Sequence, residues 1–235
     1  MTTALIDADI VAFRTAASAE NDDLEIALLR ADKLMRDILE ATNATSYVAS
    51  LSGADNFRKE INPAYKANRK DKEPPRWLSD TQQFLMREWK AEPTYGFEAD
   101  DMLGMLQTEE TVICSIDKDM FQIPGRHYQW EITGTGKDGK QWVKEAVNQY
   151  VSELDGLRFF YKQALIGDKA DNIFGVDKIG PVKAGKLIDH LTSEKDMYNT
   201  VCKLYNDSDR LDMNLDCLWI WRNENEKWSD RFCVS

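Results

Sequence analysis

Carboxylates recur along this chain in short groups: Asp7 and Asp9 in "LIDADI", Asp55 in "SGADN", Glu98, Asp100 and Asp101 in "FEADD", Asp117 and Asp119 in "SIDKD", Asp168 and Asp171 in "GDKAD". Most sit at the edge of an apolar segment, where a merely solvated charge has no reason to gather. Side chains two apart on an extended segment point to one side, which suits Asp117 with Asp119. Three apart on a helix they share a face, the expectation for Asp168 with Asp171. Glu98 converges on Asp100 if it lies in the loop entering a helix. So many carboxylates in one place repel one another unless cations neutralise them, and an all-oxygen set without His or Cys selects Mg2+ or Mn2+. Taken singly, Asp9, Asp55 and Asp101 read as helix caps or solvated charges. Taken together, the groups predict a metal centre.

The elements that would carry these acids follow from apolar spacing. "TALIDADI" reads as a short buried strand ending in acids, residues 24 to 41 have helical periodicity behind Asp22 and Asp23 as caps, and "SYVASL" is a second strand. Strand, helix, strand in that order favours a right-handed crossover and a parallel sheet. Residues 97 to 107 predict a helix, and "TVICSI" a buried strand delivering "DKD" from its end. "HYQWEI" and "KQWVK" flank "TGTGKDG" as a hairpin. Beyond Asn148 the pattern is helical, broken by a turn at 175 to 180. The expected class is α/β, with a mainly parallel central sheet flanked by helices. It divides into a core at 1 to 147 and a mainly helical region at 148 to 235 packed on it. In such a sheet functional groups gather beyond the carboxyl ends of the strands, where the first, third and fourth acidic groups would fall.

Two stretches supply positive charge. From Arg58 to Arg76 there are seven Lys or Arg against three Asp or Glu, inside a chain of net charge −11. "FRKEINPAYKANRK" interleaves Arg58, Lys59, Lys66, Arg69 and Lys70 with Phe57 and Tyr65, a mixture suited to gripping phosphates and stacking on bases. With Pro63, Pro74 and Pro75 and no apolar period, residues 55 to 77 read as a mobile surface excursion. In "GVDKIGPVKAGK", Gly175 and Gly180 permit tight turns that leave amides free at a helix start, where a phosphate oxygen is favoured. Lys178, Lys183 and Lys186 add charge there. The plainer readings are a solvated basic loop and an ordinary helix connection.

Composition narrows the alternatives. Four scattered cysteines (Cys114, Cys202, Cys217, Cys233) without C-x-x-C spacing, and only two histidines, suggest neither a disulfide framework nor a zinc site. No signal-type leader precedes Asp7, and no apolar run approaches the ~20 residues of a membrane span. The expectation is a soluble, cytoplasmic protein with no membrane partner.

"NPAYKANRK", "FEADD", "SIDKD" and "GDKADNIFGVDKIG", in this order along the chain, resemble the 5′-nuclease family of flap endonucleases and 5′–3′ exonucleases, the first stretch looking closest to the bacteriophage enzymes. The resemblance runs from "LIDADI" through "GKLIDHL". It implies a PIN-like core, a helical arch at about 57 to 77, and a helix-three-turn-helix at about 165 to 191 that grips duplex DNA. It also implies two Mg2+ or Mn2+ ions, Asp7, Glu98 and Asp100 serving one and Asp117, Asp119, Asp168 and Asp171 the other, with Asp101 near both. Lys66 and Arg69 would steer the scissile phosphate, Arg58, Tyr65 and Lys70 would contact DNA, and turn carbonyls would hold K+. The implied activity is hydrolysis of DNA at 5′ ends, nicks or flaps, in the host cytoplasm if the chain is phage-encoded. The family places a further aspartate at the end of the second strand, where this chain has Ser50 and Ser52 and offers Asp55 only later. Two rivals remain: a haloacid dehalogenase-type phosphatase with Asp7 as nucleophile and Asp9 as acid, and a DNA-junction-binding module without catalysis.

Overall fold

A computed structural model describes residues 1–70, 72–136 and 138–231; Cys233 and Lys137 of the hairpin loop lie outside the described residues. The chain opens with β1 (Thr3–Asp7), which passes directly into α1 (Ala8–Ser18). Then come α2 (Leu24–Thr42), β2 (Ser46–Leu51), the single turn α3 (Arg58–Ile61), α4 (Leu78–Glu88), the two-residue β3 (Glu92–Pro93) and α5 (Ala99–Leu106). β4 (Thr111–Cys114), β5 (Gly125–Gln129), β6 (Ile132–Thr135), β7 (Gln141–Lys144) and β8 (Val147–Val151) follow. The last part holds α6 (Glu153–Ile166), the short pair β9 (Gly167–Asp168) and β10 (Ile173–Phe174), α7 (Pro181–Ile188), α8 (Glu194–Cys202) and α9 (Ser208–Leu218).

Six strands form one sheet in the order β3-β2-β1-β4-β5-β8, parallel throughout except for β8, which runs antiparallel to β5. The expected mainly parallel α/β architecture is therefore present. Both faces of β1 are covered, as a parallel sheet requires. Ala4 and Ile6 enter a core with α1 and α2, while Leu5 meets Leu103 of α5, Ile113 and Ile220 on the other side. A third core joins α6 through α9 and takes in Trp219, Trp221 and Trp228.

Several expectations need correction. α1 continues straight from the first strand because Asp7 caps it, its side chain accepting from Ile10 N at 3.0 Å. β8 carries the sheet past Asn148, so the boundary expected at 147 and 148 falls inside a strand of the sheet. The hairpin is β6 with β7, and "HYQ" belongs to β5 instead.

The excursion at 55 to 77 is packed rather than loose. Its described part holds α3 and a 3-10 turn at Ala67–Arg69, and Asn62 and Tyr65 are buried. Lys66 N donates to Asp171 O (2.9 Å), Asn68 Nδ2 to Lys169 O (2.7 Å) and Asn172 Nδ2 to Ala64 O (2.8 Å). Contacts of backbone and amide side chains, invisible to apolar periodicity, thus fasten this segment to the turn between β9 and β10.

Candidate active site

The carboxyl ends of β1 and β4, the start of α5 and the β9–β10 turn converge on a cleft of about 600 Å³. Asp7, Asp9, Glu98, Asp100, Asp117, Asp119, Asp168 and Asp171 all line it, together with Lys66, Arg69 and Lys118. Each acid is placed by local chemistry. Asp7 ends β1, and its second oxygen accepts from Ser115 Oγ at 2.7 Å. Glu98 is the N-cap of α5 in a reciprocal capping box with Asp101. Asp117 caps a 3-10 turn, not an extended segment, accepting from Asp119 N at 2.9 Å.

Asp168 and Asp171 do not share a helix face. α6 ends at Gly167, whose φ of 78° is left-handed, and Asp168 then folds its carboxylate over the amides of Ala170 (2.7 Å) and Asp171 (3.3 Å). The turn so formed still aims both acids into the cleft.

Electrostatics divides the acids into two kinds. Burial, joined by repulsion from Asp9 and Asp117, pushes Asp7 up to about 7. Burial and the neighbouring Asp117 do the same to Asp119, also to about 7. Asp100 is raised well above its ordinary value, by burial and then by Asp7, Asp117 and Glu98. By contrast, burial would raise Glu98, but Lys66 and Arg58 outweigh it and hold the acid below its ordinary value. Asp168 is likewise lowered, burial being overcome by the Ala170 amide and Lys118.

The cations are already engaged. Lys66 pairs with Glu98, Arg69 Nη2 lies 2.6 Å from Asp171, and the Tyr65 hydroxyl sits 2.8 Å from both acids. Among the described residues no group of three or more His, Cys, Asp or Glu side chains is arranged to hold a metal ion. Lys66, Arg69 and Tyr65 occupy oxygens that such an ion would use. The donor set nevertheless fits a hard divalent cation: Asp7 repels Asp100, and Asp117 repels Asp7, Asp100 and Asp119 alike.

Not every expected residue belongs to the cleft. Asp55 is exposed and absent from its lining. Arg58 is 2% exposed and forms a bidentate pair with Asp101 (2.6 and 2.8 Å), so neither a DNA contact for Arg58 nor a catalytic role for Asp101 fits this geometry. Tyr65 is 4% exposed and cannot stack on a base. Lys70, Lys178, Lys183 and Lys186 are exposed, as a phosphate contact requires.

Gly180 is extended (φ −104°) with open space around it, so no turn there demands glycine. Gly175 is the constrained one: a Cβ would stand 2.4 Å from Ile166 C and Leu165 O, so its close approach is to the chain itself.

Asp9, which taken singly reads as a cap or solvated charge, and Ser52 also belong to the cleft. Asp9 lines it and accepts from Ser52 N at 2.8 Å, because α1 begins at Ala8 and turns Asp9 toward β2. Ser52, at the end of β2, also accepts from Ala99 N (3.0 Å), tying that strand end to α5. The immediate strand-to-helix transition in "LIDADIVAF" was the available signal for Asp9.

Comparison with known proteins agrees with this arrangement. A family profile described as "5′-3′ exonuclease, N-terminal resolvase-like domain" matches residues 2–153. A 5′-3′ exonuclease of Buchnera aphidicola subsp. Schizaphis graminum is 30% identical over 165 residues, 65% of this chain and 55% of that protein. DNA polymerase I of Bacillus caldotenax is 31% identical over 205 residues, 78% of this chain and 23% of the polymerase. This chain thus spans about half or less of those relatives' lengths. The 5′-exonuclease of bacteriophage T5, solved with zinc, superposes with a TM-score of 0.62 at 17% identity, covering 93% of this chain and 89% of that one, a likeness of fold. With an acid-lined cleft at the strand ends and a family match spanning the whole parallel part of the sheet, the chain belongs to the 5′-3′ exonuclease family through its N-terminal resolvase-like domain.

Proposed function

We propose that the protein is a divalent-metal-dependent 5′ nuclease that hydrolyses DNA phosphodiester bonds at 5′ ends, nicks or flaps and leaves 5′-phosphate and 3′-hydroxyl groups. The observation that carries this reading is the crowd of carboxylates lining one cleft, where Asp117 repels Asp7, Asp100 and Asp119. Asp7, Glu98 and Asp100 would hold one Mg2+ or Mn2+ ion, and Asp117, Asp119, Asp168 and Asp171 the other. Bound ions of this kind activate water and stabilise a departing oxygen during in-line displacement.

The chain's own residues do the rest. Lys66 and Arg69, at the lip of the cleft, are placed to turn from Glu98 and Asp171 toward a phosphate once those acids are otherwise neutralised. The exposed Lys178, Lys183 and Lys186 around α7 would hold the duplex backbone, with K+ at the adjoining turn carbonyls. A buried, hydrogen-bonded Asp7 beside repelling acids fits a ligand better than a phosphatase nucleophile. The solved T5 relatives include one described with DNA and metal ions, which supports the substrate class.

The test is a panel of 5′-labelled and 3′-labelled blunt, nicked, flapped and hybrid duplexes, with Mg2+ and with chelator. Metal-dependent shortening from the 5′ side is expected. Binding without turnover, or faster hydrolysis of a small phosphate ester, would overturn the reading.

A further inference from the structure

Arg58 and Asp101 form a buried pair outside the cleft, and three distant parts of the chain meet on it. Asp101 Oδ2 accepts from Glu98 N at 3.0 Å, closing the capping box that sets the first residue of the acidic run. Its other oxygen accepts from Trp221 N, also at 3.0 Å. Arg58 donates through Nε to Cys217 O (2.8 Å) and through Nη2 to Trp219 O (2.7 Å), and its Nη1 lies 3.8 Å from Glu98 Oε2. Around the pair, Phe57 stacks on Trp221 with centroids 4.6 Å apart, and Phe97, next to Glu98, meets the same ring at 5.4 Å.

A buried ion pair is poor evidence for stability, since well-packed apolar groups often serve as well. What it provides is direction: a guanidinium fork and a carboxylate accept one relative placement, and every hydrogen bond above is met only there. We propose that Arg58 and Asp101 are positioning residues through which the C-terminal segment Cys217–Trp221 sets Glu98 and the base of the Lys66-bearing segment. The segment lies well past residue 153, where the family match ends, so the N-terminal acidic cleft depends on a distant part of the chain. This inference rests on the reading that Glu98 helps hold a divalent ion.

The test uses the full chain and Mn2+ binding followed by calorimetry, beside thermal unfolding. Arg58→Gln combined with Asp101→Asn removes both charges, and the single Asn oxygen accepts from only one of the Glu98 and Trp221 amides, so the capping contact and the tether to Trp221 are no longer both met. The expected result is a folded protein whose tightest Mn2+ site is weakened about 10- to 100-fold, the range for partners that orient a metal ligand. Trp221→Leu keeps both charges and loosens only the packing, so it should weaken the same site less, and it carries the test if the double variant does not fold. Arg58→Lys, charged but without the fork, should fail to restore wild-type affinity. A lowered melting temperature with Mn2+ affinity unchanged in both the double variant and Trp221→Leu would overturn the inference and leave the metal reading standing. Wild-type protein that takes up no Mn2+ would remove the metal reading itself, and this inference with it.

Discussion

Asp7→Asn should stabilise the metal-free protein while disabling its metal site. Burial is the largest cause of the raised Asp7 pKa, followed by Asp9, and the isosteric amide keeps an oxygen to accept from Ile10 N. A carboxyl lifted to about 7 lies about three decades above a free aspartate, which disfavours its charged form by about 4 kcal/mol at pH well above 7. Part of that burden persists in the neighbouring acids, so the expected gain is about 2 kcal/mol, or ~4–8 °C in melting temperature for a chain of this size. The sign follows from proton linkage. The folded-state pKa exceeds the unfolded one, so the folded chain holds an extra proton between about pH 4 and 7 and loses stability as pH rises through that window. The variant's advantage should therefore be full at pH 8.5 and shrink to about 0.5 kcal/mol at pH 4.5. The assay is thermal unfolding of both proteins in chelator at the two pH values, then in Mg2+, where selective stabilisation of the wild type should close or reverse the gap. A variant less stable than wild type at pH 8.5 in chelator would refute the reasoning, showing that the hydrogen bonds to Asp7 outweigh its burial.

Lys66→Ala and Arg69→Ala should each lower single-turnover cleavage by about 10²- to 10³-fold while changing DNA affinity in Ca2+ far less; loss of binding alone would make them a docking patch. Gly175→Ala should destabilise the fold by about 1–3 kcal/mol, because the new methyl meets backbone of α6 at 2.4 Å, whereas Gly180→Val should melt with the wild type yet bind duplex more weakly. Lys183→Ala should reduce the salt slope of duplex affinity by about 0.9 in log–log terms, one phosphate contact; an unchanged slope would take α7 out of the interface.

The sheet and the acids were legible because both leave one-dimensional signatures. The strands at 3 to 7 and 111 to 114 are apolar runs with acids at or just past their ends, and the strand at 46 to 51 is an apolar run with serines at its end. What stayed hidden depends on side chains meeting across long separations. Arg58 looks like every other cation in "FRKEINPAYKANRK", and only the fold brings Asp101, Cys217 and Trp219 around it. Tyr65 was misread for the same reason: an aromatic beside lysines suggests stacking on bases, yet its hydroxyl is turned inward between Glu98 and Asp171. Asp168 and Asp171 were correctly grouped on the wrong local structure, since a three-residue spacing fits a capped turn as well as a helix face. β8 was missed because "VNQYV" is a largely exposed sheet edge and carries little apolar signal.

The central claim, that the acidic cleft cuts DNA from its 5′ side with the help of divalent ions, is tested most directly with a 5′-labelled nicked duplex. Product release is followed in Mg2+ and in chelator for the wild type and for Asp100→Asn, whose site is lined by Asp7, Asp117 and Glu98, and DNA binding is measured alongside in Ca2+. The account predicts cleavage by the wild type in Mg2+ only, and none by Asp100→Asn despite intact DNA binding. Wild-type rates in the variant, or undiminished cleavage in chelator, would contradict it.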